Sequence, residues 1–153
     1  MDPTGSGDEE PDFQPVFENR VRYAETDAQG IVFYGEYFTY QDETFLEFLR
    51  AVGYGWEDMV DRGWETHVAN AELNYREGAT FGDTIVNELR LAEFGESSFT
   101  FEYRARREED GAILVEGTLT QVAVDHETGE TIRVPDEFRE AVAAFQGGRE
   151  AAE

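Results

Sequence analysis

The chain predicts an α+β domain in which a curved, mostly antiparallel sheet of five or so strands wraps one long central helix, with a short helix closing the C-terminal end. Three observations predict it. Residues 35–52 carry Phe38, Phe45, Phe48, Leu49 and Val52 at the three- and four-residue spacing of one buried helical stripe. From residue 68 onward the period falls to two, the alternation of half-buried strands. A stripe that wide on a lone helix has to be covered, and the strands after it supply the sheet that covers it. At 153 residues the chain suits one domain with one core.

Residues 16–23 can form the first strand, ended by the Asp and Gly of "TDAQG". The helix of 35–52 stops at Gly53. Ala69, Ala71, Leu73 and Tyr75 then alternate with Asn70, Glu72 and Asn74 as a second strand. "TIVNELRLAEF" and "SSFTFEYRARR" make an antiparallel hairpin through the Gly95 turn, with Phe99, Phe101 and Tyr103 sharing a face. "AILVEGTLTQVAVD" is a long further strand, and "HETGET" turns it into a short return near Ile132 and Val134. Pro135 opens the last helix, at a position that suits its missing N–H. Residues 1–14 and 146–153 lack apolar periodicity and are expected to be tails around a domain of 15–145.

Charge sets further bounds. There are 35 acidic against 12 basic residues, a net charge of -23, and every basic residue is arginine. Such a surface repels nucleic acid and anionic lipid, so neither is an expected partner. Salt near 1 M shortens the Debye length to about 3 Å and relieves the self-repulsion. The composition resembles that of cytoplasmic proteins of halophiles that accumulate salt. No stretch is apolar enough to span a bilayer and no signal-peptide pattern is present, so a cytoplasmic location is expected. With no cysteine, thiolate catalysis, disulfides and cysteine-based zinc sites are excluded. His67 and His126 are spaced neither as a metal pair nor with a serine nucleophile, and no metal or cofactor is expected.

The stretch "TDAQGIVFYGEYF" places Asp27 in a turn ahead of the long helix, followed by Gly30, Ile31, Val32, Phe33, Tyr34 and Tyr37. Alone, Asp and Gly so spaced are ordinary turn chemistry. The longer pattern, with "LNYREGATFGDTI" and the closing "VPDEFREA", resembles the hotdog-fold acyl-CoA thioesterases, and within them the 4-hydroxybenzoyl-CoA thioesterase group. The resemblance spans roughly residues 15–145. It implies hydrolysis of an acyl-CoA with an aromatic or short-chain acyl group, at sites on a homodimer interface, commonly in a dimer of dimers.

Thioester hydrolysis needs a base or nucleophile beside the carbonyl carbon and donors for the oxyanion. Asp27 can be the first, as nucleophile or general base. Backbone N–H groups of the helix start at Tyr34 and Gly35 can be the second. Gly30 permits a turn closed to residues with a Cβ. Phe33, Asp42, Tyr75, Ser97 and Ser98 are the further substrate-contact candidates. Asp42 is assigned to the buried helix face, where it contacts a polar acyl group or is satisfied by a strand or water. Ser97 and Ser98 occupy the turn where aromatic-acyl relatives hold coenzyme A phosphate with basic residues, which this chain lacks. Arg90, Arg104, Arg106 and Arg107 are either phosphate contacts or partners of neighbouring acids. Glu43 is a second candidate acid. A hydratase of this fold needs a histidine where Val32 stands, and a non-catalytic acyl-CoA-binding module is the remaining alternative.

Overall fold

The computed structural model describes residues 12–146. Its elements run β1 (Gln14–Arg20), a single 3-10 turn (Tyr23–Glu25), α1 (Glu36–Ala51), α2 (Trp56–Asp61), β2 (Trp64–Tyr75), β3 (Thr84–Phe94), β4 (Ser98–Arg107), β5 (Ile113–Asp125) and α3 (Asp136–Gln146). The five strands form one antiparallel sheet in the order β1-β3-β4-β5-β2. Both β1 and β2 are therefore edges, and β2 is 12 residues long.

The sheet packs its inward face on α1. Phe48 sits 4.8 Å from Phe101 between ring centroids, and Phe45 lies 6.2 Å from both Phe99 and Phe101. At the far end α3 lays Phe138 against Phe99, Trp64 and Tyr54. This aromatic centre is fully buried.

Several sequence expectations are corrected here. The buried face of α1 is Tyr37, Tyr40, Gln41, Thr44, Phe45, Phe48 and Leu49, so Phe38 is exposed and so is Asp42. Phe45, Phe48 and Leu49 of the expected stripe are buried, and the rest of that face is filled by Tyr37, Tyr40, Gln41 and Thr44 in place of Phe38. The helix α2 breaks the span between α1 and β2, burying only Met59. Strand β2 starts at Trp64, and a bulge between Val68 and Asn70 shifts its alternation, leaving Ala69 exposed while Ala71 and Leu73 stay half-buried. The return after β5 is one bridge, Val124 to Thr131, rather than a strand.

The domain also extends slightly beyond 15–145. Gln14 begins β1 and donates to the Gln146 carbonyl, while the buried Gln146 amide bonds Leu91 N–H and the Asp12 carbonyl. The rest of the two expected tails, 1–11 and 147–153, lies outside the described residues.

Candidate active site

Asp27 sits at the tip of a small hairpin. Thr26 bridges Val32, Asp27 N–H donates to the Ile31 carbonyl, and Gly30 N–H donates to the Asp27 carbonyl. Gly30 has φ 86°, which a residue with a Cβ adopts only with strain. The Gln29 N–H holds one carboxylate oxygen of Asp27 at 2.9 Å, fixing the side chain while the other oxygen has no partner among the described residues. The hairpin is anchored beneath by Ile31 bridging Thr80 and by Val32 N–H donating to the Ala79 carbonyl. That loop is held by Asp83, whose carboxylate accepts the Thr80 N–H.

The helix start follows directly. Phe33 N–H donates to the Glu25 carbonyl, Phe33 carbonyl accepts Glu36 N–H at 2.9 Å, and Tyr34 carbonyl accepts the Tyr75 hydroxyl at 3.0 Å and Tyr37 N–H at 3.3 Å. A trans peptide points its C=O and N–H in opposite directions. Both carbonyls are thus engaged on one side, while the N–H groups of Tyr34 and Gly35 find no acceptor among the described residues. These are the orphan donors of a helix N-terminus, held ready for an anion. The Phe33 ring lies over Gly35, where a Cβ would meet it at 2.9 Å.

Beside these donors opens a cleft of about 300 Å³ lined by Ile31, Tyr34, Tyr37, Tyr75, Arg76 and Gly78 among others. Its walls are aromatic, with Tyr75 edge-on to Tyr34 and Tyr37 at 6.3 and 5.9 Å. Burial pushes the Tyr37 phenol up, as it does that of Tyr75. Both phenols stay neutral at ordinary pH.

The structure brings Asp27, Gly30, Phe33, Tyr34, Gly35 and Tyr75 into one neighbourhood. It sets the other candidates apart. Ser97 and Ser98 lie at the opposite end of the sheet. Tyr75 is level with Val115 and Ala105, seven residues along β4 from Ser98, roughly 23 Å within one chain. Their turn is closed by Gly95 N–H to the Ser98 carbonyl and by Arg139 on the Gly95 and Glu96 carbonyls. Asp42 borders a different cavity, between α1, α2 and β2. The strand arginines pair with acids: Arg90 with Glu102, Arg104 and Arg106 with Glu88, Arg107 with Glu77, Asp83 and Asp110. Glu43 is exposed. Among the described residues no cluster of His, Asp and Glu is arranged to hold a metal, and no helix is long and apolar enough to cross a membrane.

Sequence reasoning missed Glu25. Its carboxylate, 8% exposed, accepts the Tyr40 hydroxyl at 2.9 Å, the Arg22 N–H at 3.0 Å and the Arg22 guanidinium. It ties the segment before Asp27 to the second turn of α1. Burial pushes the Glu25 carboxyl up, but the Arg22 N–H, the Tyr40 hydroxyl and the Arg22 guanidinium together hold it below the ordinary range. The spacing Arg22 to Glu25 is the only sequence trace of it.

A five-stranded antiparallel sheet around one central helix, with a carboxylate turn and free amides at that helix's start, defines the chain as a hotdog-fold domain of the thioester-cleaving kind. The chain belongs to the thioesterase-like superfamily, which matches residues 21–142. A crystal structure of a hypothetical protein from Aquifex aeolicus is 32% identical, with a TM-score of 0.76, covering 82% of this chain and 97% of that one. A gentisyl-coenzyme A thioesterase structure is 25% identical, with a TM-score of 0.74, covering 84% and 99%. The acyl-CoA thioesterase YbgC of Haemophilus influenzae is 24% identical over 82% of this chain and 91% of its own length.

Proposed function

We propose that the protein hydrolyses an acyl-CoA thioester to the free acid and coenzyme A, with Asp27 as nucleophile or general base and the Tyr34 and Gly35 N–H groups as the oxyanion hole. In the first role Asp27 attacks the carbonyl carbon and water later cleaves the resulting anhydride. In the second it takes a proton from the attacking water. Either way the carbonyl oxygen gains charge facing the two amides, the C–S bond breaks, and the thiolate leaves to be protonated. A positioned base contributes about 10²–10⁴ in rate and each oxyanion donor about 10²–10³. The observation that carries this reading is the pair of amides at 34 and 35, left free by carbonyls that are both engaged.

The acyl group is aromatic or short-chain, in keeping with an aromatic-walled cleft of about 300 Å³ and a relative named for gentisyl-coenzyme A. The working unit is a homodimer joined through the long exposed edge β2, with the site at its interface, and two dimers then associate. Coenzyme A phosphates bind at Ser97, Ser98 and the turn amides beside them, reached from a neighbouring protomer.

The test is free-thiol release from benzoyl-, phenylacetyl-, butyryl- and palmitoyl-CoA in molar KCl, with Asp27→Asn alongside. The variant is expected to lose at least about 10³ in kcat, the base and part of the positioning going together. An Asp27→Asn enzyme of full activity would remove Asp27 from the chemistry. If the wild type cleaves none of the four, the protein binds acyl-CoA without turning it over.

A further inference from the structure

A second cavity, of about 270 Å³, lies between α1, α2 and β2, walled by Phe45, Leu49, Trp56, Met59 and Val68. Two polar side chains line it from the sheet, Thr66 of β2 and Gln121 of β5, and Asp42 and Arg50 line it from α1. Gln121 projects from the inward face of β5, opposite Phe99 on one side and Val68 on the other. It is only 2% exposed, and its side-chain amide bonds no group among the described residues. The amide is also not sealed in protein, unlike the enclosed Tyr37 hydroxyl, and it lines the cavity. Buried amides normally have partners. One left open onto an apolar cavity is the pattern of a ligand pocket, apolar walls with a convergent polar group.

We propose that this cavity receives the far end of the acyl group and that Gln121 selects acyl groups carrying a hydroxyl or carbonyl there. The inference rests on the thioesterase reading above. A cavity of about 150 Å³ accommodates benzene, so 270 Å³ admits one substituted ring or a short chain and excludes a long one. Within one chain the cavity sits seven residues down β2 from Tyr75, roughly 23 Å from the oxyanion amides. Antiparallel pairing of two β2 edges centred between Ala71 and Glu72 sets Tyr75 of one protomer against Val68 of the other. The thioester at one protomer's amides then directs its acyl group into the cavity of its partner. The amide can donate to a carbonyl or hydroxyl oxygen and accept from a hydroxyl, whereas an unsubstituted ring leaves it unpaired.

The experiment uses the full-length protein in molar KCl, with benzoyl-CoA and its 2-, 3- and 4-hydroxy derivatives as substrates. Gln121→Met keeps the side chain's length and removes its hydrogen bonding. In wild type, kcat/KM for the best hydroxylated isomer is expected to exceed that for benzoyl-CoA roughly 10- to 100-fold, and the variant's ratio falls close to one. Binding is read separately from the fluorescence of Trp56 in the cavity wall, titrating benzamide and the hydroxybenzamides, with Trp56→Phe identifying the signal. Tighter binding of a hydroxylated amide, lost in Gln121→Met, supports the pocket even if no thioester is cleaved. Hydrolysis with no wild-type preference, or a preference that survives Gln121→Met, overturns the role of Gln121 and leaves the thioesterase reading standing. If Gln121→Met does not fold, equal wild-type binding of benzamide and every hydroxybenzamide overturns it alone.

Discussion

Glu25 and Asp27 are two carboxylates two residues apart with opposite surroundings. Asp27 stands at a hairpin tip with one oxygen free, while Glu25 is buried and fully bonded to Arg22 and Tyr40. The first is available for chemistry and the second for holding the hairpin against α1. Because the Glu25 carboxyl is held below its ordinary value of 4.5, its contribution to stability is complete above that value and is lost as pH falls through the lowered one. Glu25→Gln is therefore expected to be less stable than wild type at pH 7, with the gap closing as pH falls below 4.5 and through the lowered value. Urea melts across that range check it, and a gap that stays constant would mean the ionised form is not what stabilises. Neither Glu25 nor Gln121 was legible in the sequence. An acid in an acid-rich chain carries no mark of burial, and although Gln121 shares its alternation with Leu119 and Ala123, nothing in the sequence says that its amide stays unpartnered.

The strands were legible because each carries its own period of two and its own turn residues, so β3 matches the expected span residue for residue. The helix was legible in extent and in much of its buried face, where Phe45, Phe48 and Leu49 fall as expected. At about 100° per residue Phe38 and Asp42 lie at the margin of that face, whose middle is taken by Tyr37, Gln41, Thr44 and Phe48, so both are exposed. What fixes the phase is the sheet: Phe99 and Phe101 meet Phe45, and Phe101 meets Phe48. Phe48, 1% exposed and also packed on Phe145 of α3, joins α1, the sheet and α3 at one point. Phe48→Ala should cost about 3–5 kcal/mol, since the rings around it belong to β4 and α3 and cannot collapse together. Phe38→Ala, on the exposed side, should change stability by less than about 1 kcal/mol. Comparable denaturant midpoints for the two variants would contradict the observed phase. The site was legible to the same degree. Its local part, the carboxylate turn and the helix start, is written in one continuous stretch, while the Tyr75 hydroxyl on the Tyr34 carbonyl joins residues 41 apart.

At the scale of the whole molecule the surplus of acid decides how stability responds to salt. Two effects oppose each other. The ion pairs of Glu88 with Arg104 and Arg106, and of Arg90 with Glu102, weaken as salt screens them, although Glu88 is largely buried and is screened less. Against them stand 35 acids and only 12 arginines, so even one arginine per acid leaves 23 carboxylates repelling each other. Exposed pairs contribute about 0–1 kcal/mol each, and 12 arginines bound how many can form. The repulsion runs over the whole surface, and the Debye length falls from about 10 Å at 0.1 M to about 3 Å at 1 M, which removes most of it. The melting temperature is therefore expected to rise steadily from 0.1 to 2 M KCl, by several degrees or more for a change of a few kcal/mol. Sucrose separates the two routes by which a solute can stabilise, since it is excluded from the protein surface but screens no charge. A gain in KCl well above that in sucrose of equal osmolality identifies screening. A melting temperature that falls with KCl would mean that the arginine pairs, not the surplus carboxylates, dominate the electrostatics of the fold.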